Sequence, residues 1–143
     1  MKNKLKKVLL VDDDKTTNVL NSLVIKQSKC AEEIITVKNG IEALKYLITP
    51  IDGEYPNPDL IILDINMPGM DGWEFMEEYS KLDPKCQAHV VVVMLTTSLS
   101  PDDREQSLKQ NGLNDFMNKP LTKDQFNKVI EKNFPELYAE MRA

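Results

Sequence analysis

The groups in this 143-residue chain that could do chemistry are three consecutive carboxylates, Asp12, Asp13 and Asp14, and a fourth at Asp64. Each follows a short apolar run: the acidic triplet comes after Val8–Val11, and Asp64 closes Leu60–Leu63. Two further runs end in polar groups: Val90–Leu95 is followed by Thr96, Thr97 and Ser98, and Phe116–Met117 by Asn118, Lys119 and Pro120. If these runs lie side by side, carboxylates, a hydroxyl and an ammonium meet at one edge. Two carboxylates about 4 Å apart repel by roughly 4 kcal/mol at an effective dielectric near 20. The cluster must therefore bind protons, a cation or Lys119. Hard oxygen ligands without histidine or cysteine favour Mg²⁺ or Mn²⁺ over Zn²⁺. A carboxylate oxygen in such a site can attack phosphorus and form an acyl phosphate, while the metal, Lys119 and a threonine hydroxyl hold the phosphoryl oxygens. Taken singly, each acid has a plainer reading, as a helix cap after the first run or a polar end to the third.

These residues need elements that bring them together. Five apolar runs, Ile34–Val37 being the second in chain order, alternate with segments of helical spacing. The first, third and fourth are continuously apolar, as in parallel strands covered on both faces. Asp14 caps a predicted helix with Val19, Leu20, Leu23 and Val24 inward. Asn39 with Glu42 starts one that buries Ile41, Leu44, Leu47 and Ile48. Asp71 with Glu74 precedes Phe75, Met76 and Tyr79, and Ser100-Pro101 opens a fourth helix up to Gly112. Thr122 with Gln125 precedes Phe126, Val129 and Ile130. In the fourth helix only Leu108 is strongly apolar, so burial anchors it weakly. Strand-helix alternation repeated five times implies an α/β fold, a doubly wound five-stranded parallel sheet with right-handed crossovers and helices on both faces. Ligands of such sheets sit outside the carboxyl ends of the strands.

Composition bounds the class. An apolar fraction of 41% and a charged fraction of 29% suit one globular domain. A net charge of −5 argues against direct nucleic-acid binding. No stretch reaches the roughly 18 apolar residues of a membrane span, and the lysines at 2, 4, 6 and 7 precede too short an apolar run for a signal peptide. Cys30 and Cys86 have no metal-ligand spacing and read as reduced thiols of a cytoplasmic protein. His89, alone at the start of an apolar strand, reads as structural.

The segments Val8 to Asp14, Pro58 to Gly72, Val93 to Thr96 and Lys119-Pro120 resemble those of two-component response regulator receiver domains of the single-domain, chemotaxis type. The resemblance runs from about Leu5 to Asn133. It implies a flavodoxin-like (βα)5 fold with strand order 2-1-3-4-5, a receiver domain over 5–134 and a short tail over 135–143 without an output domain. It implies Asp64 as phospho-acceptor, with Mg²⁺ held by Asp12, Asp13, Asp64 and the main-chain carbonyl of Asn66. Lys119 would pair with the phosphoryl group, Thr96 would swing onto it, and Phe116 would turn inward as the aromatic switch. The output surface would be the fourth helix, fifth strand and fifth helix. The donor would be a histidine kinase or histidine phosphotransfer protein and the target a further protein, with dimerisation on phosphorylation left open. Such a domain assists its own phosphorylation and dephosphorylation and is not an enzyme in the usual sense.

Some positions depart from or vary within that pattern. Thr97 is bulkier than the small residue common after the switch threonine, and Asn66, Thr97 and Ser98 tune the lifetime of the phosphoryl bond. Thr49–Asp59 is long for a helix-to-strand connection and reads as a surface loop. Haloacid-dehalogenase-type phosphatases also phosphorylate an aspartate after a parallel strand, but their general acid falls here on Asn66, which cannot exchange a proton. A receiver-like module that no longer accepts phosphate would not need Asp12, Asp13, Asp64, Thr96 and Lys119 together. A flavin-binding module would need a phosphate loop that is absent after the first run.

Overall fold

The computed structural model describes residues 4–87, 91–97, 101–102, 105, 109 and 113–141. Strands β1 (Leu5–Val11), β2 (Ala31–Val37), β3 (Leu60–Asp64), β4 (Val91–Thr96) and β5 (Asp115–Asn118) form a wholly parallel sheet in the order β2-β1-β3-β4-β5. This is the order and class the sequence implies. Among the described residues the apolar runs lie inside these strands, which extend past them because backbone pairing does not require an apolar side chain. Val90, Leu108, Gly112 and His89 lie outside the described residues.

Helices α1 (Lys15–Ser28), α2 (Gly40–Ile48) and α3 (Gly72–Ser80) follow the first three strands, and a helix Lys123–Asn133 follows β5. Of the predicted fourth helix, residues 101, 102, 105 and 109 are helical, and the others lie outside the described residues. The cap signals are realised locally. Asp71 and Thr122 form full capping boxes with Glu74 and Gln125. Asn39 accepts from the Glu42 N–H, but the returning Glu42 carboxylate takes the Lys38 N–H instead of the cap's own.

The sheet separates two apolar clusters. Leu5, Val8, Leu10, Leu60, Ile62, Val93 and Leu95 pack with Ile25 of α1 and with Phe126, Val129 and Ile130. Leu9, Val11, Ile61, Leu63, Val92 and Met94 pack with Ala43 and Leu47 of α2 and Phe75, Met76 and Tyr79 of α3. Alternation along each strand produces this division, because successive side chains point to opposite faces.

Two helices sit differently from the periodicity reading. In α1 the buried residues are Asn18, Asn21 and Ile25, while Val19, Leu20 and Leu23 are 51%, 54% and 47% exposed. The cause is a hydrogen bond. The Asn18 amide donates to the Asp12 carbonyl (2.9 Å) and, at longer range, to the Val37 carbonyl (3.4 Å). The Asp12 carbonyl stands at a strand end where a backbone acceptor needs a donor, while the Val37 carbonyl also accepts the Asp12 N–H at 3.2 Å. Turning Asn18 inward carries residues 21 and 25 with it and leaves 19, 20 and 23 outside. In α2, Gly40, Ala43 and Leu47 are buried and Ile41 and Ile48 point out. A Cβ at Gly40 would lie 2.8 Å from the Met70 sulfur, so a larger residue there would have to displace the Met70 side chain.

The Thr49–Asp59 connection is more ordered than a plain surface loop. A bridge pairs Ile51 with Glu54 around Asp52 and Gly53, both at positive φ. The Asp59 carboxylate accepts from the Lys6 N–H, fixing the loop to β1. The expected tail also has structure: Pro135–Met141 is helical, and Leu137 is buried in the cluster of Leu5 and Cys30.

This arrangement makes a specific stability prediction. Ile25→Ala should cost about 2–5 kcal/mol in urea denaturation, whereas Leu20→Ser should stay within about 0.5 kcal/mol of the parent. Equal losses would place Leu20 inside.

Candidate phosphoryl and metal site

The register of the sheet assembles the site. Val11 pairs with Leu63, so Asp12 leaves β1 level with Asp64 at the end of β3. Asp64 pairs with Leu95, and Thr96 pairs with Asn118, which places Thr96 and Lys119 at the same edge. The Lys119 N–H donates to the Thr96 carbonyl at 2.6 Å, which fixes the start of the lysine side chain. The Lys119-Pro120 peptide is cis.

From there the Lys119 ammonium reaches back over β4. It donates to Asp12 Oδ2 at 2.6 Å and lies 3.0 Å from Asp64 Oδ1. Both carboxylates are almost wholly buried, at 5% and 6% side-chain exposure, and Lys119 is at 13%. Asp12 Oδ1 also accepts the Asp14 N–H at 2.9 Å. Asp14 caps α1 through the Thr16 N–H and takes the Thr17 hydroxyl as well. Asp13 is exposed, yet one carboxylate oxygen from each of Asp12, Asp13 and Asp64 lies within 4.8 Å of the other two.

The structure thus gathers Asp12, Asp13, Asp64 and Lys119, with Thr96 fully buried at the neighbouring strand end. Asn66 and Thr97 are exposed beside it, and Ser98 lies outside the described residues. Phe116 is half-buried and stands two residues before the Thr96 partner on β5.

Burial pushes the Asp64 carboxyl above the usual carboxylate range; the Lys119 hydrogen bond opposes this, and the Asp12 charge adds to it. Burial pulls the Lys119 ammonium down, but its hydrogen bonds to Asp12 and Asp64 outweigh that and raise it overall. Two carboxylates therefore share one ammonium, with a third, Asp13, close to both. The negative charge left over, with oxygen donors alone, suits a divalent hard cation. Asp12, Asp13 and Asp64 are the carboxylates gathered closely enough to fit it.

Two participants escaped the sequence reading. Asn18 holds the Asp12 main chain from behind, although in the sequence it looks like one more polar residue of a surface helix. Trp73, at the second position of α3, stacks on Phe116 with ring centroids 6.0 Å apart and planes inclined by 14°. Strand order alone carries no signal for either contact.

Comparison with known proteins agrees with this geometry. Residues 8–131 match the response regulator receiver domain family, and the chain belongs to that family. Response regulator Rcp1 of Synechocystis sp. is 40% identical over 101 residues, covering 68% of this chain and 66% of Rcp1. Larger relatives are matched over a small part, as with transcription factor SKN7 of Chaetomium thermophilum, 29% identical, where the match covers 95% of this chain and 16% of SKN7. Among solved structures, a two-component response regulator from Cytophaga hutchinsonii superposes with a TM-score of 0.80 at 30% identity, covering 93% of this chain and 99% of that one. The Mn²⁺-bound form of Rcp1 superposes with a TM-score of 0.69 at 35% identity, covering 89% and 92%. The protein is thus a receiver domain of two-component signalling, of a family that binds divalent metal.

The raised Asp64 carboxyl has a testable sign. The unfolded chain releases this proton near pH 4, whereas the folded chain holds it to higher pH. Between those values the folded state carries the extra proton, so stability falls as pH rises. In metal-free protein, Asp64→Asn should flatten this fall and add on the order of 1–2 kcal/mol at neutral pH. Thermal denaturation against pH measures it; a less stable variant at neutral pH would contradict the burial argument.

Proposed function

We propose that this domain accepts a phosphoryl group on Asp64 from a histidine kinase or histidine phosphotransfer protein, with Mg²⁺ bound beside it. The observation that supports this most directly is the single Lys119 ammonium shared by the buried carboxylates of Asp12 and Asp64, 2.6 and 3.0 Å away. The ion would be held by Asp13, Asp64 and the Asn66 carbonyl, with Asp12 acting through water, and would offset negative charge on the phosphoryl oxygens.

The chain's own groups do the rest. An Asp64 carboxylate oxygen attacks phosphorus in line with the donor nitrogen. The P–N bond breaks, its electron pair stays on the imidazole, and an acyl phosphate remains on Asp64. Lys119 transfers a hydrogen bond from the carboxylates to a phosphoryl oxygen, at little reorganisation cost because it already stands at the site. Burial of Asp12, Asp64 and Thr96 keeps water from the reacting atoms. Asn66 and Thr97, exposed at the rim, are positioned to set how fast water reaches the acyl phosphate, with Ser98 in the same role.

The phosphoryl group adds about two negative charges and three acceptor oxygens. The Thr96 hydroxyl turns toward it, Phe116 follows, and the surface formed by the 101–112 segment, β5 and the helix Lys123–Asn133 changes its affinity for a downstream protein. The exposed aliphatic residues Val19, Leu20 and Leu23 begin one turn beyond Lys15, next to the acidic edge. Such a surface suits a protein donor better than a small phosphate ester. Free, buried Cys30 and Cys86 fit a reducing compartment, and no described helix is long and apolar enough to cross a membrane. The domain ends each cycle through its own dephosphorylation and turns over no separate substrate.

Incubation with Mg²⁺ and acetyl phosphate should add the mass of one phosphoryl group, mapped to Asp64 and lost after chelation. Lys119→Met should slow labelling by about 100-fold, as loss of one charge-stabilising donor does. Asp64→Asn labelled at the parent rate would exclude this acceptor.

A further inference from the structure

The Trp73–Phe116 stack joins two parts of the molecule that the strand order keeps apart. Phe116 lies on the edge strand β5, opposite Met94 of β4. Trp73 belongs to α3, which follows β3. The ring pair bridges from the β3 connection, past the central position of Met94, to the outer strand.

The Trp73 end of this bridge is fastened to the phospho-acceptor. The Gly72 N–H donates to the Ile65 carbonyl at 2.7 Å, one residue beyond Asp64. A Cβ at Gly72 would stand 2.9 Å from Ile65 Cα and 3.0 Å from the Asp64 carbonyl oxygen, so only glycine allows this approach. The Asp71–Glu74 capping box fixes the first turn of α3, and Met70 packs over Gly40 of α2. Trp73 therefore moves with the 64–72 backbone. The Phe116 end is looser: β5 has only four residues and a single strand neighbour. Both rings are half-buried, so their mutual cover matters to each. An offset aromatic stack is a directional contact, in contrast to general apolar packing.

We propose that Trp73 is a positioning residue for Phe116, giving the backbone that carries Asp64 and Asn66 a direct hold on β5 that does not pass through Thr96. The inference rests on the phospho-acceptor reading for its signalling role, but the hold itself exists in the resting domain. In that state the stack selects one orientation of the Phe116 ring. A group bound between Asp64 and Asn66 displaces the 64–72 backbone, and Trp73 carries that displacement to the ring.

Trp73 is the only tryptophan of the chain, so tryptophan emission reports on its surroundings, the stack among them. In metal-free protein, Phe116→Leu should shift that emission to the red. Trp73→Leu should move the Phe116 ring resonances in NMR spectra, and Trp73→Phe, which can still stack, should restore them most of the way. With Mg²⁺ and beryllofluoride, ¹⁹F NMR reports occupancy at Asp64 independently of tryptophan. At equal occupancy, Trp73→Leu should lose most of the Phe116 resonance change seen in the parent, and Trp73→Phe should regain it. A residue that only supports the core would lower stability yet leave that change intact. Unaltered Phe116 resonances in resting Trp73→Leu, or an undiminished beryllofluoride response, would overturn the proposal. Failure of the parent to bind beryllofluoride would instead defeat the phospho-acceptor reading, and the resting-state spectra would still decide on the stack. Should Trp73→Leu not fold, the emission of Phe116→Leu decides: an unchanged maximum overturns the proposal.

Discussion

The Lys119 ammonium stands between the buried carboxylates of Asp12 and Asp64, and much of the fold is arranged to keep it there. The contact spans the sheet, since Lys119 follows β5 while its partners end β3 and β1. Those strands lie two and three spacings away, each about 4.8 Å, so a long flexible stem is needed and a shorter cation would not reach. Burial of a charge is costly unless it is paired, and here one cation serves two anions. The result is a pocket that is stable enough to fold yet still short of positive charge. A divalent cation answers that shortage, and a phosphoryl group, being an anion, would deepen it and need both the cation and Lys119.

The same interaction explains details that otherwise look accidental. Asn18 turns a helix so that three aliphatic side chains face water, because the Asp12 carbonyl takes its amide. Asp14 caps α1 and its N–H steadies Asp12, so the helix start and the acid site are one piece of backbone. Gly72 lets α3 close against Asp64, and the first turn of that helix then holds Trp73 over the sheet. The central charge cluster is surrounded by short tethers to α1, β4 and α3.

Much of this could be read in the residues before any coordinates. Continuous apolar runs at 8–11 and 60–63 marked buried parallel strands, and the acids after them located the edge where Asp12, Asp13, Asp64 and Lys119 gather. The caps at Asp14, Asn39, Asp71 and Thr122 were legible because each is a local hydrogen bond between near neighbours. The orientation of α1 and α2 was not. Periodicity counts aliphatic side chains, and at Asn18 a polar bond to a strand-end carbonyl outweighed it, while in α2 the small residues Gly40 and Ala43 took the buried positions. Trp73 and Phe116 meet through tertiary packing across β4, which no spacing rule encodes. The helix Pro135–Met141 was missed for a related reason: only Leu137 anchors it deeply, too little apolar pattern to mark it.

Crystals grown with Mn²⁺ test the central charge arrangement most directly, through an anomalous difference map. The account predicts one peak bound by the Asp13 and Asp64 carboxylates and the Asn66 carbonyl, at roughly 2.0–2.2 Å, with Lys119 still within hydrogen-bonding reach of Asp12 or Asp64. A peak elsewhere, or full replacement of the metal by Lys119 at saturating Mn²⁺, would contradict it.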